Sequence, residues 1–279
     1  MARQTKTNEA PPIARPICTA EITIKNRKPL ATDLANFTAA LDGAGATDAF
    51  MNASSPGVIS AFLPNEYYPS EDAYLEALCN VMREQYEAIV EAGFILQVDC
   101  PDVAMARHTQ YKHLGADEFV VQAGKQVAVL NTALANVPAE SVRMHICWGN
   151  YEGPHDFDIP LHKIAAVLCH AKPQALSFES ANPRHAHEWT VWGEIALPDD
   201  KILIPGVIDT CTNYIEHPDL VAERICRFAD IVGRERVMAS TDCGFSTFTR
   251  YGHVLPDIAY EKLKVLAAGA TTASKRLWD

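Results

Sequence analysis

The chain has 279 residues, 48% of them hydrophobic and 21% charged, enough apolar material for one large core and too much for a disordered chain. A formal net charge of -11, with no basic stripe interleaved with aromatics, argues against nucleic acid or an anionic membrane as partner. No apolar run approaches the ~18 residues needed to cross a bilayer.

The opening MARQTKTNEAPPIARP lacks the basic segment and apolar run that begin a secreted chain. Eight cysteines, Cys18, Cys79, Cys100, Cys147, Cys169, Cys211, Cys226 and Cys243, are scattered along the sequence. Disulfide scaffolds are usually short and secreted, so reduced thiols and a cytoplasmic location are expected. Residues 1–16, polar and Pro-rich, are expected to form a disordered tail, and 17–279 a single domain.

From there, short apolar or β-branched runs alternate with stretches of helical period. In chain order the expected elements are a strand at 17–24, a helix at 30–42, a strand at 49–53 and a helix at 72–92 opened by Ser70-Glu71-Asp72. They continue with a strand at 94–99, a helix at 117–136, a strand at 143–148, a helix at 159–171 and a strand at 175–179. A helix at 184–195, a strand at 202–208, a helix at 216–233 with Pro218 near its first turn, a strand at 237–241 and a helix at 257–276 complete the series. Such alternation means parallel strands joined by crossover helices. FILQVD, MHIC and ILIPGVID are apolar on successive residues, as strands buried on both faces are. No Gly-rich phosphate fingerprint follows the first strand, so a TIM-type (β/α)8 barrel is favoured over a doubly wound sheet. The count is seven units, as though the first β/α unit were lacking. Open edges would then need cover, from a second copy in a homo-oligomer or from distortion of the wall.

Active sites of such barrels lie at the C-terminal strand ends, and those ends are chemically biased here. Asp99 closes LQVD, His145 and Cys147 close MHIC, Glu179 closes LSFE, Asp209 closes PGVID, and Asp242 and Cys243 close STDC. His145 and Cys147, two apart on a strand, face the same way. A set of His145, Cys147, Glu179 and Cys243 suits zinc, and two thiolates disfavour magnesium or calcium. Singly, a strand-end cysteine is mostly a small buried hydrophobe, and a buried glutamate usually belongs to an ion pair. His162, His170, His185, His187 and His217 are expected at the surface, Cys79, Cys169 and Cys226 in the core, and Trp189 and Trp192 packing a helix.

The segments LQVDCPDVAM, MHICWGNYEGPH, ALSFESANPRHAHE, LIPGVIDTCTN and MASTDCGFSTF, spread over about 94–250, resemble the cobalamin-independent methionine synthase family. The likeness is to its catalytic C-terminal barrel and to a short branch that includes enzymes alkylating coenzyme M with epoxides. The resemblance implies His145, Cys147, Glu179 and Cys243 as zinc ligands and Asp99 as the residue that holds the amino group of homocysteine. Cys211 stands two residues after Asp209, where the synthase has a histidine proton donor; Asp209 or a nearby histidine would have to take over that role. The Gly-Ser loop of the family's first strand has no counterpart. The implied activity is methyl or alkyl transfer to a small thiol, as in methionine biosynthesis. Two rivals use the same residues: a zinc hydrolase or lyase with Asp209 or Asp242 as base, and a barrel that keeps zinc without catalysis.

Overall fold

The computed structural model describes residues 16–246 and 254–279; the expected tail lies, apart from Pro16, outside them. Helix α1 (Lys28–Leu41) precedes strand β1 (Phe50–Ser54), and α2 (Pro56–Phe62) and α3 (Glu71–Glu91) lead to β2 (Ile95–Asp99). Then come α4 (Ala116–Ala133), β3 (Val142–Ile146), α5 (Leu161–Cys169), β4 (Ala175–Phe178) and the short α6 (Val191–Glu194). β5 (Ile202–Ile208), α7 (Pro218–Val232), β6 (Ser240–Thr241) and α8 (Pro256–Trp278) end the chain. Helices return the chain between strands, so every strand pair is parallel and the spatial order is that of the sequence, β1 to β6.

Register places the functional ends on one rim. Ser54 pairs with Asp99, Asp99 with His145, and His145 with Ser177, so β1 to β4 finish nearly level. Leu96, Val98, Met144, Ile146, Leu176, Phe178 and Leu203 are buried, each contributing roughly 1.5–3 kcal/mol by leaving water. Trp192 packs its ring on Phe178 at 4.8 Å between centroids, in keeping with the expected packing role.

Several expected elements differ. Residues 17–24 form no strand; they contribute a single bridge, Cys18 to Asn65. Their alternating pattern finds no neighbour along its length, and the described residues form six strands rather than seven. The expected strand at 237–241 contracts to Ser240–Thr241 plus a bridge from Val237 to Leu203, with a register shift opposite Gly206 and Ile208. The expected helix at 184–195 is broken up: 184–187 are turns, followed by one 3-10 turn at Glu188–Thr190 and the short α6. α2 falls between the expected strand at 49–53 and the expected helix at 72–92, where no element was expected. Pro56 occupies the first helical position, where no amide is needed, and Ser55 caps the end by accepting from the Val58 amide at 3.0 Å. Ser70 caps α3 on the Ala73 amide at 3.1 Å, as its sequence suggested. Cys79 is in the core, whereas Cys169 and Cys226 are only partly buried. No helix among the described residues is long and apolar enough to cross a membrane.

Candidate metal centre

Strand alternation turns His145 and Cys147 to the same side at the end of β3, and the end of β6 brings Cys243 against them. The Cys147 and Cys243 sulfurs are 3.5 Å apart, and the donor atoms of His145, Cys147 and Cys243 all lie within 4.8 Å of one another. Zn–S bonds of about 2.3 Å in a tetrahedron separate two sulfurs by roughly 3.8 Å, so the spacing fits that ion. Glu179 sits alongside, its Oε1 3.8 Å from the Cys243 sulfur. Both its oxygens are engaged: Oε1 accepts from the Trp148 amide at 2.8 Å, and Oε2 from Asn182 Nδ2 and Arg184 Nη2, each at 2.8 Å. The carboxylate is thus poised beside the trio rather than packed into it.

The electrostatics of this corner call for a cation. Its neighbour Cys147, burial, Glu179 and Asp242 hold the Cys243 thiol well above its ordinary value. Two thiols and a carboxylate so close can ionise together only beside a positive ion. Burial, with Arg143 adding to it, lowers His145 to about 4, keeping the imidazole neutral and its lone pair free to coordinate. Asp99 Oδ1 lies 4.0 Å from His145 Nε2. Burial of its base pushes Asp99 up to about 6, but 48% of the side chain faces the mouth, where water tempers that shift.

Asp242 is the support of the site. Its Oδ1 accepts the amides of Ser180 and Ala181, each at 2.8 Å, and its Oδ2 the amide and the side chain of Asn182, each at 2.9 Å. The segment after β6 that carries Cys243 is thereby stitched to the segment that follows Glu179. This needs a residue without a side chain beneath it: a Cβ on Gly206 would lie 2.2 Å from Asp242 Oδ1 and 2.5 Å from its Cα.

Asp209 and Cys211 lie on the neighbouring loop. Asp209 accepts from the Cys211 amide at 2.8 Å and the Thr212 hydroxyl at 2.7 Å, so its carboxylate is spent on shaping its own turn. Burial and Asp209 push the Cys211 thiol up to about 12; it points at Asn150 Oδ1, 3.1 Å away, and Asn150 Nδ2 in turn reaches the Gly244 carbonyl beside Cys243. His185, expected at the surface, is buried. It lies between Asp158 and Glu188, and although burial opposes charge, those hydrogen bonds raise it to about 9. His162, His170, His187 and His217 are exposed as expected.

Residues 61–256 match the family model of the cobalamin-independent synthase catalytic domain. The chain belongs to this family. It is 26% identical over 259 residues to the methionine synthase of Saccharolobus solfataricus, covering 91% of this chain and 66% of the relative. It is 29% identical over 168 residues to the 2-hydroxypropyl-CoM lyase of Xanthobacter autotrophicus, covering 51% and 43%. The B12-independent methionine synthase from Shewanella sp. W3-18-1, solved with selenomethionine, matches with a TM-score of 0.68 at 19% identity over 85% of this chain and 65% of that one. That likeness is one of fold, a curled parallel half-barrel of TIM type. The chain therefore spans about two thirds of these synthases and less than half of the lyase.

Within this cobalamin-independent synthase fold, the groups that reading the sequence missed are the ones holding others in place. Asn182 and Arg184 orient Glu179, and Asp242 accepts four hydrogen bonds whose donors its place at a strand end does not signal. Lys262 is fully buried and bonds to both Glu216 oxygens, at 3.1 and 2.9 Å, and to the Asp209 carbonyl at 3.0 Å. A cavity of about 610 Å3 opens between α2 and the turns after β2, lined by Val58, Phe62, Asn65, Asp102 and Gln110 among others.

Proposed function

We propose that this chain is a zinc-dependent transferase that moves a methyl or other alkyl group onto the sulfur of a small thiol. The observation carrying this reading is the cluster of two cysteine sulfurs 3.5 Å apart with His145 at the rim of a cobalamin-independent synthase barrel. His145, Cys147 and Cys243 would hold the ion, with Glu179 as the fourth and most easily released ligand. When bound, zinc would lower the pKa of an incoming thiol from its ordinary ~8.5 and fix its sulfur in place.

The chain's own groups account for the rest. Arg184, Asn182 and the Trp148 amide compete for the Glu179 carboxylate, so it can swing away from the sulfurs without losing its partners. Asp99 stands exposed at the mouth beside His145 and would bind the amino group of a homocysteine-like acceptor. The proton for the leaving group has no strong source in Cys211, which holds its hydrogen to about 12. A carbon electrophile with a methyl or strained alkyl group is the matching donor.

Cys147→Ser and Cys243→Ser should each remove the zinc held at the sulfur cluster and thiol alkylation together. Activity is read with homocysteine, coenzyme M and glutathione as acceptors, and zinc-edge absorption should show one sulfur ligand gained when the true acceptor is added. Full zinc retention in both variants, or turnover that ignores added thiol, would overturn this assignment.

A further inference from the structure

A second set of side chains converges away from the sulfur cluster, on the carboxylate of Asp158. His108 comes from the turn after β2; His155 and Asp158 come from the long connection between β3 and α5. His108 Nδ1 lies 3.1 Å from Asp158 Oδ1, and His155 Nδ1 lies 3.1 Å from Oδ1 and 3.0 Å from Oδ2. The two ring nitrogens and the carboxylate oxygen sit within 4.8 Å of one another. Little water reaches them: the His155 side chain is 1% exposed, and those of His108 and Asp158 are 10% exposed.

The hydrogen-bond partners restrict what can lie between them. His155 Nε2 is 3.1 Å from the Tyr151 carbonyl oxygen. A carbonyl only accepts, so Nε2 carries the hydrogen, and in a neutral ring the Nδ1 lone pair then aims at a carboxylate. Such an arrangement holds only with a cation in between, a proton or a metal ion. His155 is also held at φ +52, and among the described residues it is the non-glycine residue with positive φ. That strain of order 1–3 kcal/mol persists where surroundings fix a ligand clamp. His185 braces the carboxylate from behind, with its Nε2 3.3 Å from Asp158 Oδ2 and its Nδ1 2.7 Å from Glu188 Oε2.

We propose that His108, His155 and Asp158 form a second cation site, for a divalent first-row ion such as zinc. Two imidazoles and one carboxylate form a donor set for borderline ions, and a ring nitrogen tied to a backbone carbonyl is how ligand histidines are commonly oriented. Its burial suits a clasp rather than a reaction centre. The ion ties the turn after β2 to the connection that leaves Cys147. Arg184 links the two sites, reaching Asp158 Oδ2 at 3.6 Å and Glu179 Oε2 at 2.8 Å.

The test counts metal in the full chain, dialysed after loading with zinc alone. Wild type should carry about two equivalents, Cys147→Ser/Cys243→Ser about one, and that variant with His108→Ala and His155→Ala added essentially none. In the double serine variant the zinc edge should show nitrogen and oxygen neighbours with imidazole outer-shell scattering and no sulfur. This measurement decides the matter even if the histidine variants fail to fold. One equivalent in wild type that the serine substitutions remove overturns this site and leaves the sulfur site standing. One equivalent that survives them, with no sulfur signal, supports this site and sinks the other. Zinc in the serine variant that the histidine changes leave untouched, in folded protein, also overturns it.

Discussion

Replacing Asp102 with asparagine should raise stability at pH 8 and leave it unchanged near pH 4. Asp102 is 3% exposed, and its Oδ1 accepts the Ser55 hydroxyl at 2.5 Å. Its Oδ2 and the Gln126 Oε1 crowd the same space beside Gly57, where a Cβ would lie 2.2 and 2.4 Å from them. Gln126 Oε1 is buried without a donor. Two acceptor oxygens facing one space call for a proton, and burial, opposed by the Ser55 hydrogen bond, pushes the Asp102 carboxyl from 3.8 to about 6. With a folded pKa above the unfolded one, the stability from the protonated form is complete below about 3.8 and lost as pH rises through 6. Two units correspond to ~3 kcal/mol, at about 1.36 kcal/mol each. Asn has the same shape, can accept from Ser55 and donate to Gln126, and never ionises. Asp102→Asn should therefore gain ~1–3 kcal/mol at pH 8, fading to nothing near pH 4. Urea midpoints of both proteins at pH 4, 6 and 8 measure this. A variant less stable at pH 8, or an offset independent of pH, would refute the reasoning.

Gly206→Ala should cost ~2 kcal/mol or more, because the new methyl meets the Asp242 backbone, which cannot rotate away; thermal melts should show the loss, and zinc should dialyse out faster as Cys243 shifts. Lys262→Met should cost ~3–5 kcal/mol by leaving Glu216 unpaired, and adding Glu216→Gln should recover much of it in a denaturation cycle. Cys211→Ser keeps a donor toward Asn150 and should hold thiol-alkylation rates within roughly threefold; a fall on the order of 100-fold, the scale of a lost general acid, would show that the thiol protonates the leaving group.

Much of this fold is legible in the sequence because parallel strands buried on both faces leave unbroken apolar runs, as in ILQVD and ILIPGVI. Parallel register also explains why strand ends far apart in sequence point to one site: His145, Cys147 and Cys243 meet because β3 and β6 end on the same rim. What sequence does not carry is the partner of a buried polar group. His185 reads as a surface histidine because Asp158, 27 residues away, and the Trp148 ring, 4.4 Å from its own, come from a different loop. Likewise Lys262 looks like any exposed helical lysine until Glu216 closes over it. The pattern at 17–24 has the residues of a strand, but pairing decides, and only Cys18 finds a bridge. α2 lies outside the expected elements, and its Pro56 suits the first helical position, since proline breaks helix interiors yet starts helices well.

The four bonds that Asp242 receives from Ser180, Ala181 and Asn182 make the segment after Glu179 and the segment bearing Cys243 share one anchor. Thermal displacement of one carries the other along, so their mutual distance fluctuates less than either does against the remaining wall. Donor spacing is thus preserved by common mounting instead of by stiff surroundings.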